Sequence, residues 1–155
     1  MRAPKSPMPG IVEPGIVKKD SAQFLELCRE LLREGFAVRF TAQGQSMQPN
    51  ILSDDQVVIA PASAQQIKPG QVVLAVGRDG LRVHRMIQRL ADGGAAITRG
   101  DAGQANDEGM QTVLGKVAAI ERDGARISAQ RPWTRQMHAA RVFLRRLRQI
   151  GRAHV

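Results

Sequence analysis

Four turn dipeptides, Pro69-Gly70, Asp79-Gly80, Gly93-Gly94 and Asp123-Gly124, divide the chain beyond residue 55 into short apolar-rich runs, and this punctuation constrains the fold most. The runs are Gln56–Ala60, Gln71–Val76, Leu81–Ile87, Ala95–Arg99, Val113–Glu121 and Ala125–Ala129. Short runs bounded by such turns read as strands and hairpins. Ahead of them, Phe36, Val38 and Phe40 alternate with Ala37, Arg39 and Thr41, the period-two pattern of a half-buried strand, and Gly44 then lets the chain turn tightly. The expected fold class is mainly β, of the α+β type, over residues 36–129.

A helix is expected on each side of this β region. Phe24, Leu27, Cys28, Leu31 and Leu32 follow helical spacing over 20–35, with Asp20 or Ser21 as N-cap and Gly35 as the stop. Over 130–155, Trp133, Met137, Ala140, Leu144 and Leu147 recur at intervals of four and three, widened by Phe143 and Ile150 and faced by arginines. Residues 1–19 hold Pro4, Pro7, Pro9 and Pro14 with Gly10 and Gly15, a composition that propagates neither helix nor central strand, so a flexible or extended tail is expected there.

A chain of 155 residues is expected to form one domain with a proper core. Its formal charge of +9 is local: from Arg131 onward there are seven arginines and no acid, and subtracting them leaves +2. The basic C-terminal helix therefore has three readings: packing on the domain, attachment to an anionic membrane surface, or contact with nucleic acid. Nucleic acid is the least favoured, because the whole chain has only five aromatic residues and no recognised binding module. The lone Cys28 forms no intramolecular disulfide, and three histidines spread along the chain make no metal signature, so no metal and no cofactor are implied. With no apolar run of 18 residues and no signal-peptide pattern near Met1, the expected location is the cytoplasm, with at most a peripheral membrane contact.

The chemistry-bearing residues are Ser46, His84 and an aspartate. A serine hydroxyl is a weak nucleophile until a base takes its proton, and an imidazole serves as that base when a third group fixes its tautomer. Ser46 lies in Gly44-Gln45-Ser46-Met47-Gln48-Pro49, His84 in Val83-His84-Arg85-Met86-Ile87, and Asp101 in Arg99-Gly100-Asp101-Ala102. Asp101 is the first candidate for the third member and Asp107, in Asn106-Asp107-Glu108, is its competitor. Each has a plainer reading: Ser46 as a turn residue, His84 as a surface histidine on a strand, Asp101 as a turn-capping aspartate. Cys28 reads as a small core residue, and Arg99-Gly100-Asp101, which matches an adhesion tripeptide, as chance.

These segments resemble the superfamily that joins type I signal peptidases to self-cleaving SOS repressors, whose nucleophilic serine opens a Ser-Met-x-Pro motif, here Ser46-Met47-Gln48-Pro49. The similarity continues in order through Ser53–Ile59, Lys68–Leu74, the His84 strand, Gly100-Asp101-Ala102 and Val113–Val117, and so spans roughly residues 36–121. Where many relatives carry a lysine this chain has His84, which resembles the Ser-His branch of archaeal and endoplasmic-reticulum signal peptidases. The resemblance implies a serine endopeptidase acting through an acyl-enzyme on a precursor peptide or protein, near small residues.

Two departures bear on that expectation. The family often supplies an oxyanion donor from a hydroxyl two residues before the nucleophile, and that position is Gly44, which leaves the Ser46 backbone N–H as the foremost donor. The membrane anchor usual in the signal peptidases is missing from the pattern, and only about 35 residues precede the β region, so a self-cleaving DNA-binding repressor is not expected. The rival reading is a non-catalytic protein that keeps the fold and binds a peptide or a membrane surface.

Overall fold

The computed structural model describes residues 10–13, 22–91 and 93–127. The amphipathic helix expected over 130–155, and most of the tail expected over 1–19, lie outside the described residues. The order is β1 (Ile11–Val12), α1 (Ala22–Arg33), β2 (Ala37–Thr41), β3 (Gln56–Pro61), a short 3-10 turn (Ala64–Gln66), β4 (Val72–Gly77), β5 (Gly80–Arg89), β6 (Ala95–Arg99), β7 (Gln111–Arg122) and β8 (Ala125–Ile127). The fold is mainly β, as the turn punctuation implied.

All eight strands belong to one sheet, in which β1-β2-β3-β7-β4-β5-β6 are successive neighbours and β8 pairs β7. The long β7 is the spine. Along one edge it pairs β3 from Gly115 to Glu121 and, further toward its start, β6 through Ala95↔Thr112 and Ala96↔Gln111. Along the other it pairs β4 and then β8. Because β6 returns to β7 after β4 and β5, these four strands close on one another. In the antiparallel β5–β6 pair Arg99 stands opposite Arg85, so the end of β6 lies beside the middle of β5, where His84 sits.

α1 buries Phe24, Cys28 and Leu32, the inward stripe of its helical pattern. Its end is a Schellman motif: Phe36 N–H donates to the Leu31 carbonyl at 2.9 Å and Gly35 N–H to Leu32 at 3.1 Å, with Gly35 at φ +93°. Only glycine adopts that left-handed conformation without strain, so Gly35 ends the helix and aims the chain into β2. Phe24 meets Phe40 of β2 edge to face, with ring centroids 5.7 Å apart.

The main core joins the α1 residues to Val38, Val57, Ile59, Val72, Leu74, Val117 and Ile120, and it also takes in Met47 and Ile51 from the loop after β2. Burying side chains of this size is worth about 1.5–3 kcal/mol each, so Met47 and Ile51 fasten that loop to the sheet. Within the stretch read as tail, Ile11 and Val12 pair in parallel with Ala37 and Val38. The ion pair of Glu13 with Arg39, at 3.0 Å, lies directly after this apolar pair.

Candidate active site

The loop from Ala42 to Asp55 carries Ser46. It is closed at its base by Ala42 N–H donating to the Asp55 carbonyl (2.8 Å) and Asp54 N–H to the Ala42 carbonyl (2.9 Å). Asp55 also accepts from Leu52 N–H at 2.8 Å and from two nitrogens of Arg122 at 2.8 and 2.9 Å, which ties the loop to the end of β7. Inside the loop, Asn50 and Ile51 N–H groups donate to the Met47 carbonyl at 3.0 Å. Ser46 is exposed on this framework while its neighbour Met47 is buried. Gly44 has φ +89° with no atom near where a Cβ would sit, so backbone conformation, not lack of room, is its reason for being glycine.

His84 lies on β5, opposite Val73 of β4, and is 4% exposed. Its Nε2 is 3.0 Å from Ser46 Oγ, and its Nδ1 is 2.6 Å from Asp107 Oδ2. The same Asp107 oxygen accepts from Thr98 Oγ1 at 2.6 Å, and Asp107 N–H donates to the Thr98 carbonyl at 2.8 Å. Thr98, 1% exposed on β6, therefore holds both the backbone and the carboxylate of Asp107. Serine, histidine and aspartate stand in one hydrogen-bonded line.

The sequence puts Asp101 first for the place beside His84 and Asp107 second; the structure has the order reversed. Asp101 accepts from Arg85 Nε at 2.7 Å and Nη2 at 2.6 Å, and from Asn50 Nδ2 at 2.7 Å. The reason is strand alternation: Arg85 follows His84, leaves β5 on the opposite face, is 4% exposed, and there takes the nearest carboxylate. Arg85 also donates to the Gly70 carbonyl at 2.7 Å. The Asp101 N–H reaches Met47 Sδ at 3.4 Å, and the Ala102 N–H reaches the Ser46 carbonyl at 3.0 Å. Asp101 thus joins the serine loop to the histidine strand without touching His84.

Gly100 allows the close approach of these parts. A Cβ there would lie 2.6 Å from the Ser46 carbonyl oxygen and 3.2 Å from His84 Nε2, which no ordinary packing accommodates. Thr98, Asn50, Arg85 and Gly100 are the site residues that sequence reasoning did not single out. For Arg85 a signal existed, since an arginine one step from a buried strand histidine has to find an anion on the other face.

Ser46 and His84 open into a cavity of about 510 Å³ whose other walls include Phe24, Phe40, Ile51, Leu81 and Val83. On the side away from β4, Gly80–Val83 of β5 have no strand partner among the described residues, because β6 pairs only from Arg85 onward. Among the described residues the Ser46 N–H makes no hydrogen bond, which leaves a donor beside the hydroxyl. Burial pushes the Cys28 thiol up to about 11, so it stays protonated and inert in the core. Among the described residues no three His, Cys, Asp or Glu side chains are grouped to hold a metal, and no helix is long and apolar enough to cross a membrane.

The family model described as Peptidase S24-like matches residues 11–98, from β1 to Thr98, and so includes Ser46 and His84. No curated protein matches the chain.

Proposed function

The chain belongs to the Peptidase S24-like family, within the signal-peptidase and SOS-repressor superfamily, and on that premise we propose that it is a serine endopeptidase of the Ser-His type. The observation that carries the reading is the unbroken line from Ser46 Oγ through His84 to Asp107 at 3.0 and 2.6 Å. His84 Nε2 takes the Ser46 proton as the hydroxyl oxygen attacks a peptide carbonyl. Asp107 accepts the Nδ1–H, which keeps Nε2 free as the basic nitrogen and steadies the imidazolium once it forms. The Ser46 N–H faces the developing oxyanion, and His84 then returns the proton to the leaving amine. Water hydrolyses the acyl-enzyme by the same route in reverse.

Asp101 has a different role in this reading. Through Arg85 and Asn50 it fixes the distance between the serine loop and β5. The substrate is a precursor peptide or protein with a small residue at the scissile bond. Its chain lies extended along the unpaired Gly80–Val83 edge, in the manner of an added strand, and turns an apolar side chain into the cavity.

One observation favours the alternative, a protein that binds such a peptide without cutting it: Gly44 offers no hydroxyl to the oxyanion, and one missing donor costs about 10²–10³ in rate. Incubating a peptide library with the full chain and with Ser46→Ala, and reading products by mass spectrometry, separates the two. Cleavage after small residues that is lost in the variant supports the peptidase. Binding of the same peptides by both proteins, with no product at high protein concentration, supports the alternative.

A further inference from the structure

Arg82 precedes His84 by two residues on β5, so both side chains leave the strand on one face. Its guanidinium lies 3.4 Å from Asp107 Oδ1, the oxygen that His84 and Thr98 leave open, and 3.3 Å from Asp79 Oδ2 in the β4–β5 turn. It also lines the cavity into which Ser46 and His84 open. With 37% of its side chain exposed, it contributes little as a surface ion pair to stability. Its position on the acid that faces the histidine calls for a different explanation.

We propose that Arg82 is a positioning residue for the Ser46–His84–Asp107 line: it holds the outer oxygen of Asp107 and sets a fixed cation beside the aspartate–imidazole pair. This rests on the reading of His84 as the base, and adds to it a residue that keeps the aspartate seated against the histidine. Two anchors, Thr98 on one oxygen and Arg82 on the other, stop the carboxylate from rotating away from Nδ1.

The other charged groups around His84 are engaged elsewhere or bound to Arg82 itself. The loop after β6 contributes Asp107, and the β4–β5 turn contributes Asp79, which is 56% exposed and bound to Arg82 itself. On the opposite face of β5, Arg85 and Asp101 pair with each other, so their charges cancel at a distance. The facing groups on β4, β6 and the serine loop are Val73, Thr98 and Ser46, all uncharged.

The test follows the His84 Nδ1–H proton by nuclear magnetic resonance at one fixed pH, on the full chain, with His84→Gln identifying it among the three histidines. In Arg82→Gln this proton is expected to exchange with water several-fold faster, because the Asp107 carboxylate that accepts it has lost one of its two anchors. Arg82→Lys restores the slow exchange, and Arg78→Gln, which removes an exposed cation in the neighbouring turn, leaves it as in the parent. Unchanged exchange in Arg82→Gln, or an equal change in Arg78→Gln, overturns the proposal. The readout needs no substrate. Faster exchange in a protein that cuts no peptide supports the Arg82 role and counts against the peptidase reading, whereas cleavage with unchanged exchange counts against Arg82 alone.

Discussion

Asp107 Oδ2 lies 2.6 Å from His84 Nδ1, closer than His84 Nε2 lies to Ser46 Oγ at 3.0 Å. The two aspartates of this region therefore divide the work: Asp107 faces the imidazole, and Asp101 faces a buried guanidinium. Substitution separates the roles. Asp107→Asn is expected to lower kcat by about 10³–10⁴, because the amide no longer selects the required tautomer, with little change in Tm. Asp101→Asn leaves Arg85 buried without its carboxylate, which typically costs about 3–5 kcal/mol, and is expected to lower Tm markedly. Rate and thermal-melt measurements on the pair check the assignment; a large rate loss in Asp101→Asn with unchanged Tm contradicts it.

Gly100→Ala tests the close approach at the centre of the site. The added methyl has no room between the Ser46 carbonyl and His84, so the Ser46–His84 hydrogen bond is expected to lengthen and peptide cleavage to fall by at least tenfold. Gly103→Ala is a control in the same loop, where the nearest contact of an added Cβ is 3.4 Å. Equal activity in the two variants contradicts the packing argument.

The serine loop should also respond to acid. Arg122 bound to Asp55, with help from the Leu52 N–H, holds the Asp55 carboxyl below its ordinary range against the opposing effect of burial. A carboxyl whose folded value is depressed adds stability above its unfolded value, near 3.9, and that stability is lost as pH falls toward the folded value. Urea unfolding at pH 7, 5 and 3 is expected to show a decline below about pH 4 that is shallower in Asp55→Asn. Parallel declines in the two proteins contradict the linkage.

Cys28 should behave as a core atom. With its thiol pushed up to about 11 by burial, it is expected not to react with a disulfide reagent at pH 8 in the folded protein. In denaturant it should react at once. Fast reaction without denaturant contradicts its place on the buried face of α1.

Much of this fold was legible because local patterns agree with tertiary demands. The apolar stripe from Phe24 to Leu32, the Gly35 stop and the alternation of Phe36 to Thr41 specify elements that the core uses. The pairings of β7 with β3 and β4 skip over intervening strands and join segments far apart in sequence, and no local signal specifies them. At the site, the words around Ser46 and His84 led to two side chains in contact. The choice between Asp101 and Asp107 turned on which face of β5 Arg85 occupies and on Thr98, a residue with no distinguishing local context. The pairing of Ile11 and Val12 with β2 was also hidden, because prolines on either side dominate the composition there.

The most direct measurement of the central relation, activation of Ser46 by His84, is intact-mass analysis after treatment with a fluorophosphonate, which reacts with activated serines. The expected result is a single adduct on the full chain, mapped to Ser46 by peptide digestion, absent in Ser46→Ala and strongly slowed in His84→Ala. An unmodified Ser46 after prolonged exposure, in protein that melts cooperatively, would contradict an activated serine and with it the peptidase reading.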